Sequence, residues 1–282
     1  MKKNYLMFIC SMLIYGTIGI FRRYIPLSSA ALSFVRGVIG SAFLLLCRRG
    51  IKLSFGKRKV TLLILTGACI GVNWIFLFEA YNYTSVATAT LCYYMQPTIV
   101  ILLSPLILQE KLTGKKLLCA AAAVIGMVLV SGITEEGGVG TSDIKGILFG
   151  LAAACLYSAV IFLNIKNPVD DSYGKTVIQL GSAAIVLVPY LALTGNFMMP
   201  GQTLDLRAVI MIVIVGIVHT GIAYALYFKS IEKLKSQSAA VLSYIDPVSA
   251  LILSAVFLSE PLSAGGLIGA VLILGAALLG EI

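Results

Sequence analysis

Ten apolar runs, each near the length needed to cross a bilayer, occupy almost the whole of this chain. They cover roughly 5–21, 29–47, 60–81, 86–108, 117–134, 145–165, 174–193, 207–228, 237–258 and 264–280. A helix crossing hydrocarbon needs about 20 residues. Barrel strands would be about ten residues long and would alternate polar with apolar side chains, and these runs do neither. The expected fold is all-α and integral to the membrane, with ten transmembrane helices joined by short loops. Composition agrees, since 59% of the 282 residues are hydrophobic and only 12% charged, against about a quarter charged in soluble domains.

The net charge of +9 falls mostly in the loops, which is how membrane topology is encoded. A nucleic-acid partner is therefore not expected. With the N-terminus in the cytoplasm, 16 of the 21 Lys and Arg residues face inward. Arg22, Arg23, Lys145 and Arg207 face outward, and Arg36 lies inside the second run. The charge bias predicts a multi-pass protein of the cell (inner or plasma) membrane with both termini cytoplasmic; the pair Arg22-Arg23 fits least well. Six cysteines all fall within apolar runs without a CxxC pair, so they read as small buried hydrophobes, not disulfides or metal ligands. The segment Met1-Lys2-Lys3-Asn4 and the apolar stretch after it resemble a signal peptide but lack a clear cleavage site, which predicts a retained first helix.

An internal repeat adds the most information. Tyr94-x-x-Pro97 is followed by Glu110-x-Leu112, and Tyr244-x-x-Pro247 by Glu260-x-Leu262, every position offset by 150. The same offset pairs Gly71 with Gly221, Trp74 with Tyr224 and Phe78 with Phe228. Five spans separate equivalent positions, and an odd number turns the second copy upside down. The expected organisation is a first repeat over 1–134, a second over 144–282, and a connecting outer loop over 135–143. Loop charge follows the side of the membrane instead of the copy: 109–116 carries three lysines while its counterpart 259–266 carries none. Inverted repeats recur in secondary transporters, with a central site at the repeat interface.

At these residues the chain resembles the drug/metabolite transporter superfamily, in its ten-helix EamA-type branch. The resemblance is carried by Phe78-Glu79-Ala80-Tyr81-Asn82-Tyr83-Thr84-Ser85, by Pro97 with Glu110-Lys111-Leu112-Thr113, by Pro247 with Glu260-Pro261-Leu262-Ser263, and by Arg36 in Ser33-Phe34-Val35-Arg36-Gly37. It covers the whole chain. It implies a carrier of small metabolites, often an exporter of amino acids or related compounds, without naming the substrate. Glu79 is not a general feature of that pattern.

Several residues are candidates for binding or coupling. Arg36 lies mid-span, where a charge is costly unless it meets a cavity or a partner; it either contacts an anionic group or binds backbone carbonyls. His219, the single histidine, either exchanges protons, since imidazole titrates near neutrality, or bonds a neighbouring helix. Asp246 precedes Pro247 as Gln96 precedes Pro97. Proline removes a backbone donor, and the freed carbonyl can serve a ligand in a cavity. Asp246 is the strongest carboxylate for proton coupling or for an amine, the alternative being a kink that merely satisfies its own backbone. Glu79 is an outer gate, a substrate contact or an ordinary charge at a span end. Asn73, Trp74, Tyr93, Tyr94, Tyr224 and Tyr244 line a pocket or pack the bundle. Pro97 and Pro247 read as hinges, Glu110 and Glu260 as loop or helix-start residues, and Thr113 and Ser263 as helix N-caps.

No Walker A motif is present, and neither are HExxH, GxSxG or paired Cys/His patterns. No enzymatic activity, cofactor or metal is expected. The sequence predicts a secondary transporter, in the exporting direction, for a small organic metabolite such as an amino acid, working by alternating access with proton coupling as an option. Its partners are lipid, substrate and, with coupling, protons; monomer and homodimer both stay open. A multidrug or cation exporter, a channel and a lipid-acting intramembrane enzyme are the alternatives.

Overall fold

Long apolar runs with few breakers leave the backbone one economical form in lipid, the helix, which bonds its own polar groups. The computed structural model describes residues 2–47, 56–109, 113–130, 140–167, 169, 171–231, 234, 242–260 and 263–281. Within them each of the ten apolar runs contains helix. Seven helices are long and apolar enough to cross a membrane: Lys2–Arg23, Ser29–Cys47, Lys57–Tyr83, Val86–Ile107, Thr141–Lys166, Tyr173–Thr194 and Leu206–Tyr227. Shorter apolar helices include Ile245–Leu258 and Ala264–Ala276. The chain is a multi-pass membrane protein. Glu110, Lys111, Leu112 and the first five residues of the connecting loop lie outside the described residues.

Several runs expected to be continuous are interrupted. The first divides into α1 (Lys2–Gly16) and α2 (Ile18–Arg23), with Thr17 between them. α3 (Ser29–Cys47) and α4 (Lys57–Tyr83) are unbroken. The fourth run divides into α5 (Val86–Tyr93) and α6 (Gln96–Ile107). Pro97 sits in the first turn of α6, where its missing N–H leaves no helical bond unmade. Then come α7 (Gly114–Val130), α8 (Thr141–Lys166), α9 (Ser172–Ile185) and α10 (Val188–Thr194). The eighth run holds α11 (Leu206–Ile214), a π-helical segment over Val215–Ile222, and α12 (Ala223–Ile231). α13 (Ile245–Leu258) carries Pro247 in its first turn, and α14 (Ala264–Glu281) ends the described chain. Thr113 and Ser263 cap α7 and α14 as expected, their hydroxyls accepting from Lys116 N and Gly266 N.

α4 packs on α8 and α9, and α3 on α9 and the π segment. α1 packs on α12 and α13, α8 on α5 and α6, and α7 on α14. The α7–α14 contact is nearly backbone on backbone. A Cβ at Gly126 would lie 2.7 Å from the Gly269 carbonyl oxygen, and one at Gly269 would lie 2.5 Å from that of Gly126. Small residues permit this approach where lipid supplies no hydrophobic drive between helices.

Polar contacts collect where the helices end. At one end Arg23 joins Thr84 and Glu260, Thr84 Oγ1 donates to Asp143, and Ser28 Oγ donates to the Asn196 carbonyl. There Leu27 and Met198 also form an isolated antiparallel bridge. Asn167 Nδ2 donates to the Lys59 carbonyl and Tyr173 to that of Leu44. The Arg22-Arg23 pair, which strained the charge argument, is accommodated here. Arg23 is ion-paired, and buried Arg22 donates to the Ile25 carbonyl and to Ser29. The cysteine reading needs correction: Cys92 and Cys119 are buried, but Cys47 and Cys155 are exposed. A thiol behaves as a small hydrophobe, so a bilayer-facing position suits it as well as the interior.

Candidate functional site

Two ionisable groups, buried Arg36 and half-buried Asp246, organise the middle of the bundle. Arg36, on α3, is 4% exposed. Its guanidinium lies over Trp74 of α4 at 4.1 Å from the ring centroid and 5.5 Å from that of Phe78. Its Nε donates to Thr220 Oγ1 at 3.1 Å, and Thr220 in turn donates to the Val215 carbonyl five residues back. That last bond is made inside the π segment, a feature often found at functional sites. Among the described residues the terminal nitrogens of Arg36 carry no hydrogen bond, so its planar fork stays open to a carboxylate.

Asp246 lies in the first turn of α13, and its Oδ2 accepts from Tyr94 Oη at 2.8 Å. The Asp246 carbonyl accepts from Ser249 Oγ, and a Cβ at Gly16 would come within 2.8 Å of that carbonyl oxygen. Glycine at 16 thus lets α1 rest on the start of α13.

Tyrosines fill the space between these charges. Tyr15 and Tyr224 meet edge to face at 5.6 Å, and Tyr93 contacts Tyr94 at 6.0 Å and Tyr157 at 5.6 Å. Tyr15 and Tyr224 lie within electrostatic reach of Arg36, Tyr94 and Tyr157 within reach of Asp246, and Tyr81 and Tyr93 within reach of both. Aromatic faces favour cations and apolar groups, and phenol hydroxyls serve as donors. The arrangement suits a small molecule with an anionic end, a cationic end and an apolar middle.

The remaining sequence candidates sit apart from this group or beside it. His219 is 1% exposed, with Nε2 2.8 Å from Thr17 Oγ1 and its ring edge-on to Phe21 at 4.7 Å. The same Thr17 hydroxyl reaches the Ile14 carbonyl at 2.7 Å. His219 thereby pins the α1–α2 break to the π segment. Asn73 donates to the Ala153 carbonyl at 2.6 Å, a cross-link between α4 and α8. The Gln96 carbonyl accepts from Ser158. Glu79 is half-buried near the end of α4 and accepts from Asn82. Tyr244 lines an apolar groove of about 560 Å³ together with Val248, Leu251, Leu267 and Val271. Glu260 is no plain loop residue, since it forms the Arg23 ion pair. Sequence reasoning missed Tyr15, Tyr157, Thr17 and Thr220; only the adjacency of Thr220 to His219 could have pointed to one of them.

Comparison with known proteins adds to this geometry. The model of the EamA-like transporter family matches twice, over residues 2–132 and 144–280. The chain belongs to the EamA-like transporter family. This EamA-like protein is 31% identical over 253 residues to the uncharacterized transporter YxxF of Bacillus subtilis, covering 88% of this chain and 80% of the relative. It is 27% identical over 230 residues to a protein of Escherichia coli named a probable amino-acid metabolite efflux pump, covering 77% and 76%. A solved crystal structure superposes on this EamA-like chain with a TM-score of 0.67 at 21% identity, covering 99% of this chain and 98% of the other. That likeness concerns the fold.

Proposed function

We propose that this transporter is a secondary exporter of small zwitterionic metabolites, amino acids or compounds related to them, working by alternating access between two inverted five-helix repeats. The observation that carries the reading is the pair of charges, buried Arg36 and half-buried Asp246, which come from different repeats and bracket the tyrosine assembly. Arg36 would hold the substrate carboxylate. Asp246 would hold its ammonium group or a proton. The relative named an amino-acid metabolite efflux pump points the same way. A lipophilic cation alone is less well served, because Arg36 would repel it.

Support for the repeat comes from details at the 150-residue offset. Gln109 and Ser259 both take a left-handed backbone without being glycine, at φ 59° and 54°. Ser104 and Ser254 both donate to the carbonyl three residues back. The packing pattern also survives exchange of the halves: α4 on α9 becomes the π segment on α3, and α4 on α8 becomes α12 on α1. Among the described residues, the polar contacts between helix ends join loops that ten alternating spans would place on one side. The division at 1–134 and 144–282, with ten spans and both termini in the cytoplasm of a cell membrane, follows from this reading. Pro97 and Pro247, each in the first turn after a break, would act as the hinges.

Coupling follows from competition at one carboxylate. With the proton on Asp246 its attraction for an ammonium group is gone, so proton and substrate take turns and exchange in opposite directions. In proteoliposomes loaded with a pH dye, an outward amino-acid gradient should drive proton movement the other way. Asp246→Asn should abolish that movement and the coupled flux. Transport that persists in the variant with unchanged proton movement would remove Asp246 from this role.

A further inference from the structure

We propose that Glu260 is a gating residue, latching shut the end of the transporter at which α2 finishes. The inference rests on the alternating-access reading. Glu260 follows α13, where Ser259 turns the chain through a left-handed backbone at φ 54°. One carboxylate oxygen takes Arg23 Nη2 at 2.6 Å, and the other accepts from the Val86 backbone N–H at 2.8 Å. Val86 is the first residue of α5, so the carboxylate also meets the positive end of that helix. Arg23 reaches further to the Thr84 carbonyl at 3.3 Å. One carboxylate thus ties the close of α2, the start of α5 and the α13–α14 connection, segments drawn from both repeats.

These contacts cannot survive if the halves part at this end, because each partner lies on a different helix. Arg23 is 36% and Glu260 18% exposed, so the latch sits at the rim and can open without burying a bare charge. Behind it lies buried Ser29, which accepts from exposed Asn82 at 3.4 Å, and deeper along α3 and α4 lie Arg36 and Trp74. The guanidinium has no copy in the other repeat, since the position 150 residues after Arg23 is Tyr173. An ion pair at this register therefore belongs to one end alone, and it biases the resting protein toward closure there. With the N-terminus cytoplasmic this is the outer end. A carrier that rests open to the cytoplasm is poised to load from inside, as export requires.

The test needs no substrate. Ser29→Cys is introduced as a reporter, since Ser29 is 1% exposed with the latch shut, and its alkylation by a membrane-impermeant maleimide is measured from each face of reconstituted vesicles, above the labelling of the parent chain with its six native cysteines. In the intact latch, labelling from the Arg23 face should be slow. Glu260→Ala should raise the rate about tenfold, the scale expected when charged hydrogen bonds and an ion pair are lost together. Arg23→Gln should raise it less, because the Val86 bond remains, and Arg23→Lys should stay near the parent. Equal rates in all four proteins, or Arg23→Lys as fast as Arg23→Gln, would overturn the latch. A protein that unfolds would label from both faces and lose its thermal transition, which separates that outcome from opening. If the zwitterion reading fails in flux assays while these rates hold, the gate stands without it.

Discussion

A charge inside an apolar helix has to be compensated, and this makes Arg36, Asp246 and His219 visible in a bare sequence. Their partners are not visible. Tyr15, Tyr157 and Thr17 carry no such cost in a helix, so nothing in their own positions separates a ligand-facing residue from a packing one. Asn73 shows the converse. A polar residue deep in a run invites a functional role, yet its amide is spent on the Ala153 carbonyl. Arg36 gives the sharpest residue-scale expectation. Lysine keeps the charge but loses the planar surface on Trp74 and the fork geometry. Arg36→Lys should lower transport kcat/KM by about tenfold or more, corresponding to about 1.4 kcal/mol. The loss should exceed any fall in thermal stability, and initial-rate flux against substrate concentration checks it.

The apolar pattern reports where helices are but not where they break. The interruptions at Thr17 and at Tyr94–Met95, and the π segment at Val215–Ile222, lie inside runs of unchanged hydropathy. They arise from tertiary demands: His219 holds Thr17, Tyr94 turns toward Asp246, and Thr220 rotates under Arg36. The apolar pattern carries none of that information, although Pro97 marks the break at Tyr94–Met95 locally. Between intact elements the tightest seam is α7 against α14. Gly269→Val should push a branched side chain into the Gly126 carbonyl and Val130 and cost about 1–3 kcal/mol, read as a lower melting temperature. Gly181→Ala, where an added Cβ meets nothing within 4 Å, should leave melting unchanged or raise it slightly.

Across the whole molecule, the ten runs and the loop charges were legible because hydropathy and charge placement are properties of composition along the chain. How the two halves meet was not, because contacts between residues more than 100 apart leave no local trace. Even-numbered crossing should put both termini on one side. Reporter fusions should make a cytoplasm-dependent fluorescent tag active at each end and a periplasm-dependent phosphatase inactive at each; opposite results at the two ends would break the ten-span reading. The backbone tie between the first and fourth loops of the Arg23 end bears on biosynthesis. Ser28 N–H bonds the Phe197 carbonyl, and Met199 N–H bonds that of Pro26. These groups are made some 170 residues apart, so the earlier strand must wait in the translocon's vicinity until seven runs have been synthesised. Either half released alone would carry unpaired main-chain groups at its surface. Each segment matched by the family model thus leaves main-chain bonds at this end for the other to complete.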